Sequence, residues 1–281
     1  MTKVLPICYC GNRKIFGGIF LSVLSLLAHT EAALEIILLT MDLSDENPNW
    51  LPFTEEQRVL LEKTLKEKNT LSSAKIIDTT DLHRKYFSQG KNNNNAYTPY
   101  ASIRLFLDLL DVPEKMIYLD ADVMCLSDVA EYFDIDISEH ELAATLDVVG
   151  HRFFPKQYCN SGVLLLNIPR IRETGLFEKA RKKVKTRWML MPDQSAINML
   201  ATAKLVLPYR FNEQRSIKPD TVFKHFCMSY RWKGVRLVSY NIKQWQREQV
   251  HKVLGIRDFD AIYDQFDKIL LADGNEDLIK I

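Results

Sequence analysis

The first 120 residues alternate between short apolar runs and longer segments in which apolar residues recur at helical spacing. Short apolar runs bounded by polar or glycine-bearing stretches predict buried strands, and the helical period predicts helices packed on them. Strands are predicted at residues 4–10, 34–40, 74–78 and 116–119, and helices at residues 16–29, 54–68 and 100–110. This alternation predicts an α/β fold with a mostly parallel central sheet flanked by helices.

Shorter elements are predicted in the second half of the chain. Strands are expected at residues 142–146, 162–167 and 205–207, and a helix at residues 194–203, whereas residues 88–97 are polar and predict a loop. Residues 241–281 have an amphipathic pattern and predict a mainly helical C-terminal extension after a main domain of residues 1–240. We expect this extension to pack on the core, with binding to a membrane or a partner as the alternative.

Charge and cysteine content narrow the classes of function. With 37 basic and 36 acidic residues, the chain has no overall field that would recruit nucleic acid, so an anion site must be local. The basic run at residues 178–187 predicts a solvated helix face. Five scattered cysteines predict free thiols in a reducing compartment.

The N-terminal pattern differs from that of a signal peptide. Arg13 and Lys14 follow the first apolar run, and the apolar stretch at residues 15–29 is too short to span a bilayer. The prediction is a cytoplasmic protein, with peripheral contact to the inner face of the membrane left open.

Asp120 and Asp122 follow the apolar run at residues 116–119, with one alanine between them. In open α/β sheets, ligands bind at the carboxyl ends of the strands. Two carboxylates there suit Mg²⁺ or Mn²⁺ bridging a phosphate group. The alternative is a polar strand end that binds no metal.

Other polar residues stand beside apolar runs, namely Asp147, Asn160, Asp193, Gln194 and His225. Asp193 is compatible with a helix N-cap, because Pro192 precedes it and apolar residues follow. His225 is compatible either with a hydrogen-bonded core histidine or with a nitrogen ligand of a metal.

Two phosphate-binding motifs are missing. The residues after the first strand, Cys10-Gly11-Asn12-Arg13, lack the spaced glycines of a dinucleotide fingerprint, and the chain contains no Walker loop. Nucleotide binding would therefore depend on other groups.

Five motifs in order resemble glycosyltransferase family 8, whose members are retaining enzymes with a GT-A fold. They are Tyr118-Leu-Asp-Ala-Asp-Val123, Asn160-Ser-Gly-Val-Leu-Leu-Leu-Asn167, Asp193-Gln194, Arg210-Phe211-Asn212 and His225-Phe-Cys227. The resemblance covers roughly residues 4–235 and implies a UDP-hexose donor, UDP-glucose or UDP-galactose. It also implies a saccharide acceptor of the kind found in bacterial surface glycans such as lipopolysaccharide, including membrane-linked ones. The oligomeric state stays open.

The resemblance also implies a role for each matching residue. The metal, Mn²⁺ with Mg²⁺ as the alternative, would be held by Asp120, Asp122 and His225. The donor-binding residues would be Cys10, Gly11, Asn12, Arg104, Asp120, Asn160 and Arg231. The residues at the reacting carbon would be Gln194, Asp193 and Asp147.

Retention at the sugar carbon is compatible with two routes. Same-face attack, supported by Gln194, is preferred because no carboxylate is securely placed as a nucleophile. Double displacement through Asp193 or Asp147 is the alternative. Two rival functions remain open, a nucleotide-sugar-binding module without turnover and a metal-dependent phosphohydrolase that cleaves nucleotide sugars.

The chain departs from the family pattern at two places. Gly11-Asn12-Arg13-Lys14-Ile15 replaces a more acidic segment, which leaves the preference for the base open, and Met228-Ser229 replaces a Gly-Pro pair. The acceptor surface is expected at residues 88–97 and around Gly150-His151-Arg152.

Overall fold

The computed structural model describes residues 3–88, 90–92, 99–154, 157–233, 236–272 and 275–279, with only the backbone described at residues 231–233, 236 and 237. The strands are β1 Val4–Cys10, β2 Ala33–Thr40, β3 Ser73–Asp78, β4 Lys115–Leu119, β5 Val123–Cys125, β6 Leu142–Leu146, β7 Cys159–Asn167, β8 Lys204–Leu207, β9 Phe223–His225, β10 Ser229–Lys233 and β11 Arg236–Tyr240. The helices are α1 Phe16–His29, α2 Glu55–Lys68, α3 Thr80–Phe87, α4 Ala130–Phe133, α5 Gly150–Phe153, α6 Ile168–Thr174, α7 Leu176–Thr186, α8 Pro192–Leu200, α9 Arg247–Gln249, α10 Asp260–Leu271 and α11 Glu276–Ile279.

A seven-stranded sheet in the order β3-β2-β1-β4-β7-β6-β8 forms the centre of the molecule. All neighbouring strands are parallel except β7, which runs antiparallel to both β4 and β6. Successive residues of a strand enter opposite faces, so Ile36 and Leu38 pack in one apolar cluster while Ile37 and Leu39 pack in the other. Burial on both faces explains the continuous apolar runs and confirms the predicted α/β fold.

Several element boundaries differ from the predictions. Residues 100–110 were expected to be an α-helix, but the segment Pro99–Leu109 is a 3₁₀ helix. The strand expected at residues 162–167 begins at Cys159, so Asn160 lies within it. Of the loop predicted at residues 88–97, residue 89 and residues 93–97 lie outside the described part of the chain.

The structure does not bear out the N-cap interpretation that the sequence allowed for Asp193. Pro192 is the first residue of α8 and Met191 precedes it as the cap residue. Proline suits the first helical position because its missing N–H would have no partner there. Asp193 consequently lies inside the first turn, where the helix dipole favours a carboxylate.

The residues after β11 pack on the core, as expected. The Trp245 ring lies so close to α1 that a Cβ on Gly18 would come within 2.8 Å of it, and the rings of Phe20 and Phe266 meet edge to face at 6.2 Å. Other buried side chains of this region include Ile242, Val250, Phe259, Ile262 and Tyr263. A domain boundary at residue 240 stays a prediction. No helix in the described part of the chain has the length and apolar character needed to cross a bilayer.

Candidate active site

Two short strands bring the three predicted metal ligands together. The chain turns at Asp120 and Asp122 after β4 and enters β5, which pairs antiparallel with β9 so that Val123 faces His225. The His225 Nε2 atom lies 3.1 Å from Asp122 Oδ1 and 3.9 Å from Asp120 Oδ2. One ligand atom from each of the three residues lies within 4.8 Å of the others.

Gly162, on the neighbouring strand β7, leaves the space that this cluster requires. A Cβ at that position would lie 2.2 Å from His225 Cε1 and 2.8 Å from Asp120 Oδ2. Such distances are shorter than any van der Waals contact. A glycine is therefore needed where the backbone of β7 passes the ligands.

The imidazole of His225 is oriented by Asn212, which is fully buried. Asn212 Oδ1 lies 3.1 Å from His225 Nδ1, and Asn212 Nδ2 donates to Asn160 Oδ1 at 3.0 Å. Because the oxygen accepts, Nδ1 carries a proton, which leaves Nε2 as the ring nitrogen that would bind a metal beside the aspartates. Two carboxylates and an imidazole nitrogen form a donor set that fits a divalent cation such as Mn²⁺.

Arg104 and Tyr118 fix the other side of Asp120. Arg104 Nη2 donates to Asp120 Oδ1 at 3.0 Å and the Tyr118 hydroxyl donates to the same oxygen at 2.8 Å. The guanidinium lies over the Tyr118 ring at 4.0 Å and its Nη1 donates to the Ser161 carbonyl. With Oδ1 occupied, Oδ2 is the oxygen that Asp120 turns towards His225.

Lys243 and Gln244 reach the same turn from the C-terminal part of the chain, which sequence reasoning missed. Lys243 Nζ donates to Asp122 Oδ2 at 2.5 Å and to the Phe226 carbonyl at 3.1 Å. Gln244 Nε2 donates to the carbonyl of Ala121, between the two aspartates. No local pattern marks these residues, because their partners lie more than one hundred positions earlier in the sequence.

The charges around Asp122 favour its ionised form. Burial by itself raises the pKa of Asp122, but His225 and Lys243 outweigh burial and hold that pKa well below the usual carboxyl range. Burial lowers the pKa of Lys243, whereas Asp122 raises it, and the net pKa lies above the usual value. Asp122 and Lys243 therefore stay charged at neutral pH.

Asp147, Asn160 and Gln194 form a second buried network beside the metal cluster. Asp147 Oδ2 accepts from Asn160 Nδ2 at 3.0 Å and from Gln194 Nε2 at 3.2 Å, while Asp147 Oδ1 accepts from the N–H groups of Val149 and Gly150. Gln194 Oε1 accepts from the Ser161 N–H at 2.9 Å. Both oxygens of Asp147 are thus engaged by donors.

Asp193 is a buried carboxylate with one oxygen that can still accept a hydrogen bond. Its Oδ2 atom lies 3.2 Å from Arg104 Nε, yet that N–H donates to the Ala101 carbonyl instead, and Oδ2 has no hydrogen-bond partner among the described residues. Burial, reinforced by Asp120, raises the pKa of Asp193, although Arg104 opposes this shift. Oδ2 is therefore available to accept from a ligand hydroxyl.

Among the described side chains, the remaining predicted donor-binding residues make no hydrogen bond to Asp120, Asp122 or His225. Cys10 ends β1 and Gly11 leads into Asn12, whose side chain accepts from the Lys14 N–H at 3.1 Å and caps a short 3₁₀ turn. For Arg231 the structure describes the backbone, which pairs with Val238 in the β10–β11 hairpin. Their roles stay predictions.

Comparison with known proteins agrees with this geometry. An active-site mutant of LgtC superposes with a TM-score of 0.65 at 17% identity, over 94% of this chain and 95% of that one. The Salmonella typhimurium lipopolysaccharide 1,3-galactosyltransferase is 25% identical over 250 residues, 78% of this chain and 70% of that protein. The Escherichia coli lipopolysaccharide 1,2-glucosyltransferase is 30% identical over 120 residues, 38% of this chain and 36% of that protein. The Streptococcus gordonii protein Gly is 32% identical over 120 residues, and the match spans 42% of this chain but 17% of Gly.

The structural neighbours share the GT-A fold. The model of the family described as glycosyl transferase family 8 matches residues 6–231, and the chain belongs to that family. The predicted family and fold class are thereby confirmed, and the relatives named as galactosyl- and glucosyltransferases agree with the predicted type of enzyme.

Proposed function

We propose that this enzyme transfers glucose or galactose from a UDP-sugar to a saccharide acceptor, with retention of configuration and with Mn²⁺ as cofactor. The observation that carries the proposal is the Asp120, Asp122 and His225 cluster beside Asn160 and the two polar residues of α8. Relatives that act on lipopolysaccharide support a surface glycan, free or lipid-linked, as the acceptor class.

The proposed chemistry needs positive charge where the nucleoside diphosphate departs. Bound at Asp120, Asp122 and His225, a divalent cation would stabilise the negative charge that develops on the leaving diphosphate. Lys243 adds a fixed positive charge beside Asp122. We therefore assign Lys243 to the diphosphate side of the site, in addition to Arg231, which the family resemblance placed among the donor-binding residues.

The hydrogen bonds around the carboxylates favour same-face attack. Asp147 accepts from four donors, which lowers its nucleophilicity, and Asp193 lies against Arg104. Gln194 is held by Asp147 and Ser161 and can present its amide to an electron-poor sugar carbon. The free Oδ2 of Asp193 supports its assignment to a sugar hydroxyl.

A cavity of about 360 Å³ beside the metal cluster is the proposed acceptor site. It lies between residues 214–216, Phe226 and Cys227, and the base of the β10–β11 hairpin. The sequence had pointed instead to residues 88–97 and to Gly150, His151 and Arg152. Tyr230 and Tyr240 give the cavity the aromatic and polar lining on which sugar rings bind.

Contact with a membrane surface is also a proposal, as is a cytoplasmic location. Trp188 and Leu190 are 61% and 56% exposed and follow α7, on which Lys179, Lys182 and Lys185 face solvent. Vesicles containing anionic lipid should sediment the protein, and replacing Trp188 and Leu190 with serine should weaken this binding. Equal sedimentation with neutral vesicles would contradict it.

The decisive experiment measures UDP release from UDP-glucose and UDP-galactose with Mn²⁺, with and without saccharide acceptors. Acceptor-dependent release with a product of retained configuration is expected. Binding without release would favour a binding module, and release of UMP with sugar phosphate would favour a phosphohydrolase. Asp122→Ala should abolish Mn²⁺-dependent donor binding, whereas Asp111→Ala, at an exposed carboxylate, should leave it intact.

A further inference from the structure

The cavity proposed as the acceptor site borders the metal cluster on one side and the segment around Asp147 on the other. On the metal side, the Phe226 N–H donates to the Asp122 carbonyl at 2.9 Å and the Phe226 carbonyl accepts from Lys243. On the sugar side, Gln214 accepts from the Val148 N–H at 3.0 Å and donates to the Leu146 carbonyl at 3.0 Å. A molecule in the cavity would therefore lie between the metal cluster and the residues flanking Asp147.

The lining of this cavity carries positive charge and no carboxylate. Of the described residues that line it, Arg215 and Lys224 are cationic and none is Asp or Glu. Arg215 is exposed, and no salt bridge to it occurs within the described part of the chain. The nearby Glu213 accepts from the Arg215 backbone N–H through Oε1, and its Oε2 lies 3.6 Å from Lys218 Nζ.

Lys224 adds a buried ammonium to the wall of the cavity. Its Nζ donates to the carbonyls of Glu213, Arg215 and His225 at 2.8 to 3.3 Å. These three bonds hold the ammonium group at the wall of the cavity.

We propose that the acceptor saccharide carries an anionic group, a phosphate or a carboxylate, which Arg215 binds at the cavity wall. Guanidinium groups bind both anions through paired N–H donors. The inference rests on the proposed transferase function and narrows its acceptor to acidic saccharides.

The test compares matched acceptors that share one ring and differ in charge: a neutral alkyl hexoside, its 6-phosphate and the corresponding uronide. This set is made for glucose, galactose and mannose, and kcat/KM for transfer is measured together with saturation-transfer NMR in the presence of UDP and Mn²⁺. We expect at least one anionic acceptor to exceed its neutral counterpart about tenfold or more, as a charged hydrogen bond allows. The phosphate and uronide arms show which anion is used.

Two variants connect that preference to the cavity. Arg215→Gln should lower kcat/KM for the anionic acceptor much more than for the neutral one, while Arg215→Lys should retain part of the preference. Lys268→Gln, at an exposed lysine of α10, should show the same preference as the wild type.

Equal use or equal binding of neutral and anionic acceptors by the wild type would overturn the inference, as would an equal loss for both in Arg215→Gln. Failure of the proposed function would look different. No UDP would then be released with any acceptor, although donor and Mn²⁺ bind.

Discussion

The Asn212 carboxamide joins His225 to the sugar side of the site: its oxygen lies 3.1 Å from His225 Nδ1. Its nitrogen donates to Asn160, which in turn donates to Asp147. One buried amide therefore sets the imidazole tautomer and also orients the residue assigned to the donor sugar. Substitutions at Asn212 should therefore affect both metal binding and donor binding.

Replacing Asn212 with leucine should weaken Mn²⁺ binding about 10- to 100-fold, the usual cost of losing a group that orients a metal ligand. Without an acceptor at Nδ1, the His225 ring should populate both neutral tautomers, which ¹⁵N chemical shifts of the imidazole report in the metal-free protein. Mn²⁺ affinity is measured by electron paramagnetic resonance.

Asn212→Asp is the matched control for this prediction. Its carboxylate still accepts from Nδ1 but cannot donate to Asn160, so the His225 tautomer should be kept while donor binding weakens. An unchanged tautomer and unchanged Mn²⁺ affinity in Asn212→Leu would contradict the role assigned to the amide.

Gly162→Ala should remove metal binding without removing the fold. The added methyl group would enter the space between His225 and Asp120, so one of the two ligands must move. In the wild type, Mn²⁺ should raise the thermal unfolding temperature because it binds the folded state. In the variant this increase should disappear while the circular dichroism spectrum is kept. A normal Mn²⁺-induced increase would show that the ligands lie elsewhere.

Lys243→Gln should lower kcat/KM for the UDP-sugar by about 100-fold, because a fixed charge beside the leaving group is lost. Mn²⁺ binding should be retained or strengthened, since the ammonium no longer occupies Asp122 Oδ2. Lys252→Gln, at an exposed lysine paired with Glu248, serves as the control. If both variants keep wild-type activity, Lys243 has no part in the reaction.

His83 should make stability depend on pH. Burial lowers the pKa of His83 from 6.5 to about 4, and its Nδ1 has no hydrogen-bond partner among the described residues. The folded state keeps the neutral ring, so the contribution of His83 is complete above pH 6.5 and is lost as pH falls towards 4. Between pH 7 and 5 the free energy of unfolding should fall by about 2 kcal/mol through this group.

The measurement is urea unfolding at both pH values for the wild type and for His83→Phe, which keeps a ring against Phe87. The variant should lose less stability over this interval. Equal losses in the two proteins would show that His83 does not titrate as described.

Local patterns in the sequence were sufficient to locate several residues of the candidate site. The apolar run before Asp120 and Asp122 predicted strand β4, and Asn160 was recognised as a polar residue beside the apolar run of β7, while the roles of these residues stay predictions. Lys243 could not be found this way, because its place depends on how the segment after the β10–β11 hairpin packs on α1. The basic residue that the family resemblance offered for this part of the site was Arg231, six residues after His225.

The sequence could not show where Asp193 lies relative to the start of its helix, for a local reason. Proline and a cap residue compete for the start of a helix, and the sequence alone does not show which position the proline takes. The structure settles the register and turns Asp193 inward, towards Arg104. Asp193, whose sequence context is compatible with an N-cap, therefore lies in the interior, where a ligand hydroxyl can reach its carboxylate.

The bonds from Lys243 to Asp122 and from Gln244 to Ala121 span 121 and 123 residues of chain. A ribosome that has just completed the aspartate turn must therefore synthesise that entire interval before the turn can acquire these partners. Nascent or prematurely terminated chains that end between residues 226 and 242 contain all three predicted metal ligands but lack Lys243 and Gln244. Translation past this point would thus be a condition for a complete site, and under the proposed function unfinished chains in the cell would not consume nucleotide sugar.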